Sequence, residues 1–453
     1  MVMLRYLRNN SYLSWDKFIK FGWRNLTSTP LPEKTESLKK ELNEEFVYTS
    51  EKKSKKPYKG GFLNSLFDGE FDRNIFNYPS PQPSEENLFF LKHCIKIEEY
   101  ISKIPPNCHT ITQDMVNGLN ALKVFALSLP KEYGGLNYSV SKSKFVEEYI
   151  SYCPIIGQFL AYNENFGRKI INEFGSEEQK LKYLPKLASG KSFVSFAYLE
   201  DGPIVDLNSI TTSSMFDNYK NEFIINGNKK WVLNADLSDF IIVLTRTTIN
   251  KDNRLQTPLN LFIVDSDTPG ITIKPCNTKN NQEINLSEIN FKDVSVSSEN
   301  LIGNESECAF PILKTALLFN KLSSSIACLS LLKKLNLMGL KIFEDVLKTN
   351  KTVLNEISIK ENINSVTLNV YILESVIYPL LEKLDEYEKP DLYVETCIVK
   401  ALAVDFLQNA INKCFSIFGN AYFNHIEELN MALKYWKYYS IFDDTQIHLK
   451  VKI

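Results

Sequence analysis

Asp443 and Asp444, near the end of the chain, are two adjacent carboxylates of a type that could take part in acid–base chemistry. Because neighbouring like charges couple their titrations, such a pair tends to hold one proton between them. A carboxylate placed in this way could remove a proton from a substrate. The same two acids are also typical of a solvated helix end, and the residues alone leave both interpretations open.

Other kinds of reactive site have little support in the sequence. The four histidines are scattered, so no metal site is expected. Neither a P-loop nor a GxGxxG sequence is present, which argues against a separate nucleotide domain. The eight cysteines contain no CxxC pair, which favours reduced, buried thiols over a disulfide framework or a zinc site.

Composition indicates a large globular protein. The 453 residues are 44% hydrophobic and 23% charged, enough for a sizeable core divided into about two to four units. The formal net charge of -2 provides no basic field for nucleic acid. Lysines interrupt the apolar runs before they reach the roughly 18 residues that a membrane span needs, so no transmembrane segment is expected.

The first sixty residues differ from the rest. Residues 1–30 are basic, acid-poor and interleaved with large apolar side chains, and Asp16 is their only acid. This pattern predicts a mitochondrial transit peptide, with a disordered basic tail as the alternative. The Lys, Glu, Ser and Pro that follow predict a solvated linker, so residues 1–60 are assigned to a transit peptide and linker.

The elements that must position any site follow in a clear order. Apolar spacing predicts helices between residues 85 and 191, and Ser176 with Gln179 has the form of a capping box. Residues 192–303 indicate strands, and Asn226-Gly227 predicts a type I′ hairpin turn within a β meander that runs from Phe223 to Leu244.

The last third of the chain is helical again. Four long apolar segments joined by short polar breaks predict an antiparallel bundle, at about residues 309–350, 353–387, 390–418 and 426–439. The predicted fold is therefore mainly α with a central β domain. It consists of an N-terminal helical domain, a small β-barrel or sandwich, and a C-terminal four-helix bundle.

Three segments in this order resemble the acyl-CoA dehydrogenase family over about residues 85 to 450. They are LPKEYGGL at residues 129–136, FGSEEQK with KYLPKLASG at residues 174–190, and the stretch that contains NGNKKWVLNADLSD at residues 226–239. The family branch with the greatest resemblance is the mitochondrial very-long-chain dehydrogenase, together with its relative that assists complex I assembly. That branch has an additional C-terminal helical domain, which is not expected in a chain ending at Ile453.

The resemblance implies a domain plan, a cofactor and partners. Beyond residues 1–60, it implies an N-terminal helical domain at 61–191, a middle β domain at 192–305 and a C-terminal bundle at 306–453. It implies FAD as cofactor and long-chain acyl-CoA as substrate. A homodimer is expected on separate grounds, because helices as apolar as residues 309–347 must be covered on more than one face. In the family a glutamate removes the α-proton of the thioester while hydride leaves for the flavin, whose chemistry the protein orients.

Several family positions carry other residue types here. The glutamate base falls on Asp443, one methylene shorter. The two hydroxyl-bearing residues that bond the flavin ring fall on Leu199 and Leu233, which cannot form hydrogen bonds through their side chains. The aromatic residue that the family places beside the flavin is kept as Trp231, although a tryptophan on a strand is more often a core residue.

The phosphate-binding positions are also changed. The arginine that holds the flavin pyrophosphate falls near Lys348, which offers only a point charge. The family's Gly-Gly-x-Gly is represented by Gly419 followed by Asn420, Ala421 and Tyr422, and Tyr422 is expected to fill the vacated space.

Two hypotheses follow from these positions. In the first, the chain is a mitochondrial family member with weak or lost dehydrogenase activity and a role in complex I assembly. In the second, it is an active FAD-dependent enzyme that desaturates long-chain acyl-CoA at the α,β-position, with Asp443 as base.

Overall fold

The computed structural model describes residues 85–105, 108, 110–202, 209–251, 254–276, 284–303, 309–349, 357–388, 390–419 and 425–442. The predicted transit peptide and linker lie outside these residues. Within them the chain forms a helical segment, a sheet and a second helical segment, which confirms a mainly α fold with a central β domain.

The N-terminal helices follow the predicted order. They are α1 Glu85–Ile101, α2 Gln113–Ala121, α3 Val140–Ile150, α4 Pro154–Asn163, α5 Lys169–Phe174 and α6 Glu177–Ala188. A short π-helical turn, Glu164–Arg168, joins α4 to α5. The predicted capping box at the start of α6 is confirmed, because the Ser176 hydroxyl accepts from the Gln179 N–H and the Gln179 side chain accepts from the Ser176 N–H.

The strands pack as one mixed sheet. They are β1 Val194–Ala197, β2 Ser213–Asp217, β3 Glu222–Leu233, β4 Phe240–Lys251, β5 Arg254–Gln256, β6 Leu259–Asp265, β7 Ile271–Pro275, β8 Leu286–Ser297 and β9 Leu301–Ile302. Across the described strands the order is β7-β8-β3-β2-β4-β6-β9, with β1 and β5 also paired to β4. Strand β4 pairs in parallel with both β1 and β2.

The prediction of a hairpin turn at Asn226-Gly227 and of a β meander around it is wrong. Both residues lie inside β3, and β2 separates β3 from β4 in the sheet. Strand β3 pairs with β2 on one side and with β8 on the other, and the register against β8 shifts between Ile225 and Gly227. Ladder bonds on both edges therefore outweigh the local turn preference, and the dipeptide forms a β-bulge instead.

Gly227 is required at this bulge by a close approach of two backbones. Its φ is +152°, and a Cβ built there would lie 2.6 Å from the Cα of Thr212. Only a residue without a side chain allows the backbone at Thr212, just before β2, to come this near. The Asn-Gly pair therefore marks close packing within the sheet.

The N-terminal helices dock on β1 through the π-helical turn. The ring of Phe166 stacks on Phe196 at 4.8 Å between centroids, and the Tyr162 hydroxyl donates to the Phe196 carbonyl at 2.8 Å. The Asn163 side chain accepts from the Val194 N–H at 2.9 Å. Helices and sheet are thus joined by both apolar and polar contacts.

The C-terminal helices are α7 Phe310–Thr349, α8 Ile357–Glu386, α9 Tyr393–Phe418 and α10 Ile426–Ile441, which confirms the four predicted helical segments. The stretch Phe310–Asp345 is long and apolar enough to cross a membrane by composition, but 89% of its most apolar window is buried inside the protein. Burial on all sides is the property of a core helix.

The close approach at the bulge predicts the effect of adding one methyl group. We expect Gly227→Ala to lower the free energy of unfolding by about 1–3 kcal/mol, because the new Cβ overlaps backbone atoms. Gly339→Ala is the matched control, since the nearest side-chain atoms to its Cβ are 3.8 Å away and Gly339 lies inside α7. There we expect a gain of about 0.5–1 kcal/mol. Denaturant unfolding of both variants checks the pair, and equal effects would contradict the bulge.

Candidate functional site

The two positions predicted to contact the flavin ring, Leu199 and Leu233, lie where the sheet packs on the C-terminal helices. Leu233, at the end of β3, is 1% exposed and belongs to an apolar cluster that also contains Leu313 and Ala316 of α7. Leu199, just after β1, is half-buried against the same cluster, as is Phe442. The structure therefore brings Leu199, Leu233 and the residue before Asp443 to one apolar junction.

Trp231 lies beside this junction in a strained conformation. Its φ is +62°, an uncommon value for a bulky side chain, and it falls in a second register shift of β3 against β8, between Lys229 and Val232. The Lys230 N–H donates to the Leu199 carbonyl at 3.0 Å, which ties the bulge to the segment after β1. Strain of this kind is concentrated at functional sites.

The base position itself lies just beyond the described chain. Asp443 and Asp444 are outside the described residues, and Phe442 is the last residue before them. The buried ammonium of Lys400, on α9, donates to the Phe442 carbonyl at 2.7 Å. The ring of Phe442 stacks on Tyr438 at 4.8 Å. The chain that leads into the two acids is thus fixed against both α9 and α10.

The phosphate-binding positions do not join this junction among the described contacts. Lys348 lies on α7, but its side chain is outside the described part of the chain. Tyr422 is also outside the described residues. Gly419 follows the end of α9 with φ +49° and ψ -128°, and among the described residues other than its chain neighbours no atom lies within 4 Å of a Cβ built there. Its neighbour Phe418 packs in a separate cluster of the bundle.

A buried ion pair next to Leu199 organises the segment after β1. The Glu200 carboxylate accepts hydrogen bonds from the N–H and hydroxyl groups of both Thr211 and Thr212, at 2.6 to 2.9 Å. It also pairs with the ammonium of Lys229 at 2.9 Å. The Lys229 side chain is fully buried, whereas the Glu200 side chain is 16% exposed.

The charges of this pair follow from its surroundings. Burial alone would raise the pKa of Glu200, but hydrogen bonds from Thr211 and the charge of Lys229 outweigh it and lower the pKa to about 2. Burial lowers the pKa of Lys229 to about 8, against the attraction of Glu200, so the ammonium remains protonated at pH 7. Both groups are therefore charged at neutral pH.

Sequence reasoning did not single out Glu200 or Lys229. Glu200 stands in the sequence directly after Leu199, and only its position beside a predicted site residue could have drawn attention to it. Lys229 lies in the polar run Asn226-Gly227-Asn228-Lys229-Lys230 of β3, which suggests a solvent-facing side chain. The bulge at Trp231 and the Glu200 carboxylate together explain its burial.

Comparison with known families gives two adjacent matches. The model described as "Acyl-CoA dehydrogenase, N-terminal domain" matches residues 93–191, and the model described as "Acyl-CoA dehydrogenase, middle domain" matches residues 195–294. These two matches cover the N-terminal helices and most of the sheet.

Individual relatives agree with these matches. Human mitochondrial very long-chain specific acyl-CoA dehydrogenase is 25% identical over 411 residues, which are 88% of this chain and 62% of the relative. A probable acyl-CoA dehydrogenase of Bacillus subtilis is 33% identical over 188 residues, which are 41% of this chain and 48% of the relative. The chain spans about three fifths of the length of the very long-chain relatives.

Solved structures share the fold at lower identity. Butyryl-CoA dehydrogenase from Megasphaera elsdenii has a TM-score of 0.72 at 19% identity, over 82% of this chain and 98% of that one. An acyl-CoA dehydrogenase from Bacillus anthracis complexed with FAD has a TM-score of 0.71 at 18% identity, over 84% and 68%. Both support the same arrangement of helices around a central sheet.

The buried pair predicts a pH-dependent loss of stability. Glu200→Gln leaves the Lys229 charge unpaired, so we expect a loss of about 3 kcal/mol at pH 7. Because the folded pKa of Glu200 lies below its ordinary value of 4.5, the wild-type advantage is present above pH 4.5 and disappears as the pH falls toward 2. Urea unfolding of both proteins between pH 7 and pH 2 measures this difference.

The neighbouring surface pair provides the control for this measurement. Asp201 pairs with Lys230 at 2.9 Å, with side chains 73% and 25% exposed. We expect Asp201→Asn to cost less than about 1 kcal/mol. A Glu200→Gln loss no larger than this would show that the buried pair does not hold the segment after β1.

Proposed function

We propose that this chain is a member of the acyl-CoA dehydrogenase family that acts by binding, with flavin-dependent dehydrogenation weak or lost. The family assignment is supported by the two matched domain models, and the shared fold is consistent with it. The loss of dehydrogenation is inferred from the residues at the predicted flavin positions.

One observation carries the proposal. Leu199 and Leu233 are the residues predicted to stand where family hydroxyls bond the flavin ring, and both pack in one apolar cluster with residues of α7. An alkyl group cannot donate or accept a hydrogen bond, and a flavin ring nitrogen or oxygen buried against it would lose its partner. The residues present at this junction therefore do not fit a flavin ring, and no reaction step is assigned to one.

The competing proposal is an active dehydrogenase with Asp443 as the base. It is supported by two retained residues, the aromatic Trp231 at a strained bulge and Gly419 at the end of α9. FAD, as the family cofactor, would then bind through contacts other than the two lost hydroxyls. A base one methylene shorter would have to be compensated, since a misplacement of about 1 Å can cost a hundredfold in rate.

Location and partners form part of the proposal. The first thirty residues have the composition of a transit peptide, and several relatives are named as mitochondrial enzymes. A mitochondrial location follows from these two observations. Acyl-CoA is the ligand class that the family implies, and complex I assembly proteins are the partner class implied by the branch resemblance.

Self-association is supported by an exposed apolar stripe on α8. Leu368, Tyr371 and Val376 are 56%, 39% and 36% exposed, and their spacings of three and eight residues from Leu368 place Tyr371 and Val376 on either side of it on the helix surface. A contiguous apolar stripe on a soluble helix is commonly covered by another protein surface. We assign it to a second copy of this chain, in a homodimer.

The flavin proposal is tested by restoring the hydroxyl groups. We expect the purified wild-type protein to be colourless and to show no change in melting temperature with added FAD. In a Leu199→Thr and Leu233→Thr double variant, each buried hydroxyl should cost about 1–3 kcal/mol unless a partner satisfies it. If the junction still admits the ring, FAD should raise the melting temperature of this variant alone.

A matched control substitutes the same residue type elsewhere in the cluster. Leu313→Thr places a hydroxyl in α7 at a position without a predicted flavin contact, and FAD should not stabilise it. A wild-type protein with a visible flavin band that bleaches on addition of a long-chain acyl-CoA would overturn the proposal and support Asp443 as a base.

The exposed stripe predicts the effect of a single charge. We expect Leu368→Glu to raise the dimer dissociation constant at least tenfold, because a carboxylate would be buried in an apolar contact. Light scattering over a concentration series measures this constant. Leu181→Glu on α6 is the control, since Leu181 is 66% exposed and lies off the stripe. A monomeric wild-type protein would contradict the assignment of the stripe.

A further inference from the structure

Helix α1 has two exposed apolar side chains on one face, here called the α1 stripe. They are Leu91 and Ile95, 37% and 39% exposed, and a spacing of four residues makes them neighbours on the helix surface. A different face of α1 packs in the core of the N-terminal helices through Cys94 and Ile97, which are 3% and 0% exposed. The α1 stripe therefore lies outside that core and apart from the junction of sheet and helices.

Two lysines flank the α1 stripe on the side away from the core. Lys92 and Lys96 are both exposed, and neither forms an ion pair within the described part of the chain. With Glu99 one turn further on, this side of α1 carries a net positive charge. A segment that covers the α1 stripe would therefore combine apolar side chains with carboxylates.

The chain just before α1 has this combination of side chains. The run FLNSLF at residues 62–67 has its apolar side chains at the spacing of an amphipathic helix. Three acids follow it directly, at Asp68, Glu70 and Asp72, and the next residue, Arg73, is the only base between Lys59 and Lys92. These residues precede the described part of the chain. In sequence they match the apolar and positive character of the exposed side of α1.

The connection to α1 is long enough for this run to return along the helix. Residues 68–84 can span up to about 55 Å when extended, whereas Ile95 lies only about 15 Å from the start of α1. The connection contains Pro79, Pro81 and Pro83. Because proline is excluded from helix interiors and disfavours helix in the residue before it, these prolines prevent α1 from continuing upstream and favour a change of direction.

We propose that residues 62–72 dock on α1 of the same chain, with the apolar run on the α1 stripe and the acids beside Lys92 and Lys96. A segment tethered this closely has an effective concentration of about millimolar, which favours it over a separate partner. The predicted transit peptide at residues 1–30 lies upstream, so its removal leaves the docked segment in place. The proposal does not depend on how the flavin positions are filled.

Arg73 allows docking to be measured in the full chain. It is the only arginine between Arg24 and Arg168, so an arginine-specific protease reports on this segment, and Arg24 is the internal reference. With each rate corrected for cleavage of a synthetic peptide of the same sequence, we expect cleavage at Arg73 to be at least tenfold slower than at Arg24. Leu91→Asp should raise the Arg73 rate about tenfold, because it places a carboxylate in the apolar contact. Leu181→Asp on α6 is the matched control, since Leu181 is 66% exposed, and should leave the rate unchanged.

A charge exchange distinguishes this segment from any other occupant. Lys92→Glu with Lys96→Glu should raise the Arg73 rate about threefold, as for exposed ion pairs, and adding Asp68→Lys with Glu70→Lys should restore the wild-type rate. Thermal unfolding verifies that every variant is folded. A wild-type protein cut equally fast at Arg73 and Arg24, or a combined variant whose rate stays high, would overturn the inference. It would also fail if Leu91→Asp changed the particle mass in light scattering but not the Arg73 rate, since a second copy would then cover the α1 stripe.

Discussion

The structure depends on shielding one apolar helix, α7, from solvent. Helix α7 has 40 residues and is therefore about 60 Å long. Near its start, Leu313 and Ala316 pack against the sheet, and from Leu318 onward its side chains form the core of the C-terminal helices. Because this helix is apolar on nearly every face, the sheet, the N-terminal helices and the bundle must all pack around it. The apolar junction is one consequence of that packing.

Partly buried charges fix how the N-terminal helices meet α7. Lys333 of α7 pairs with Glu148 of α3 and, at 2.6 Å, with Glu374 of α8, and Glu148 also accepts from the Tyr378 hydroxyl. Removing one member of such a network leaves a buried charge unpaired and is strongly destabilising. The network therefore holds three helices in one arrangement, in a way that interchangeable apolar contacts would not.

The candidate site and the α1 stripe differ in what covers their apolar residues. At the junction of sheet and helices, Leu199 and Leu233 fill the predicted flavin-ring positions with groups that are satisfied by apolar contact alone. The junction therefore offers no side-chain hydrogen bond at these two positions, and that lack underlies the proposal of a binding protein. On α1, Leu91 and Ile95 offer apolar surface that the described part of the chain leaves exposed.

The sequence by itself determined the elements whose signals are local. Helix periodicity, the capping box at Ser176 and the apolar character of α7 depend on residues close together in the chain, so the mainly α fold with a central sheet could be predicted. The prediction of a turn at Asn226-Gly227 was wrong because β2 and β8 form backbone hydrogen bonds with both edges of β3. The local preference of this dipeptide for a turn is too weak to compete with those bonds. Only the tertiary structure decided that Lys229 is buried with Glu200, and that Lys333 of α7 meets Glu148 of α3. These residues are far apart in sequence. Their pKa values and hydrogen-bonding needs are set by burial, because packing removes the water that would otherwise surround them.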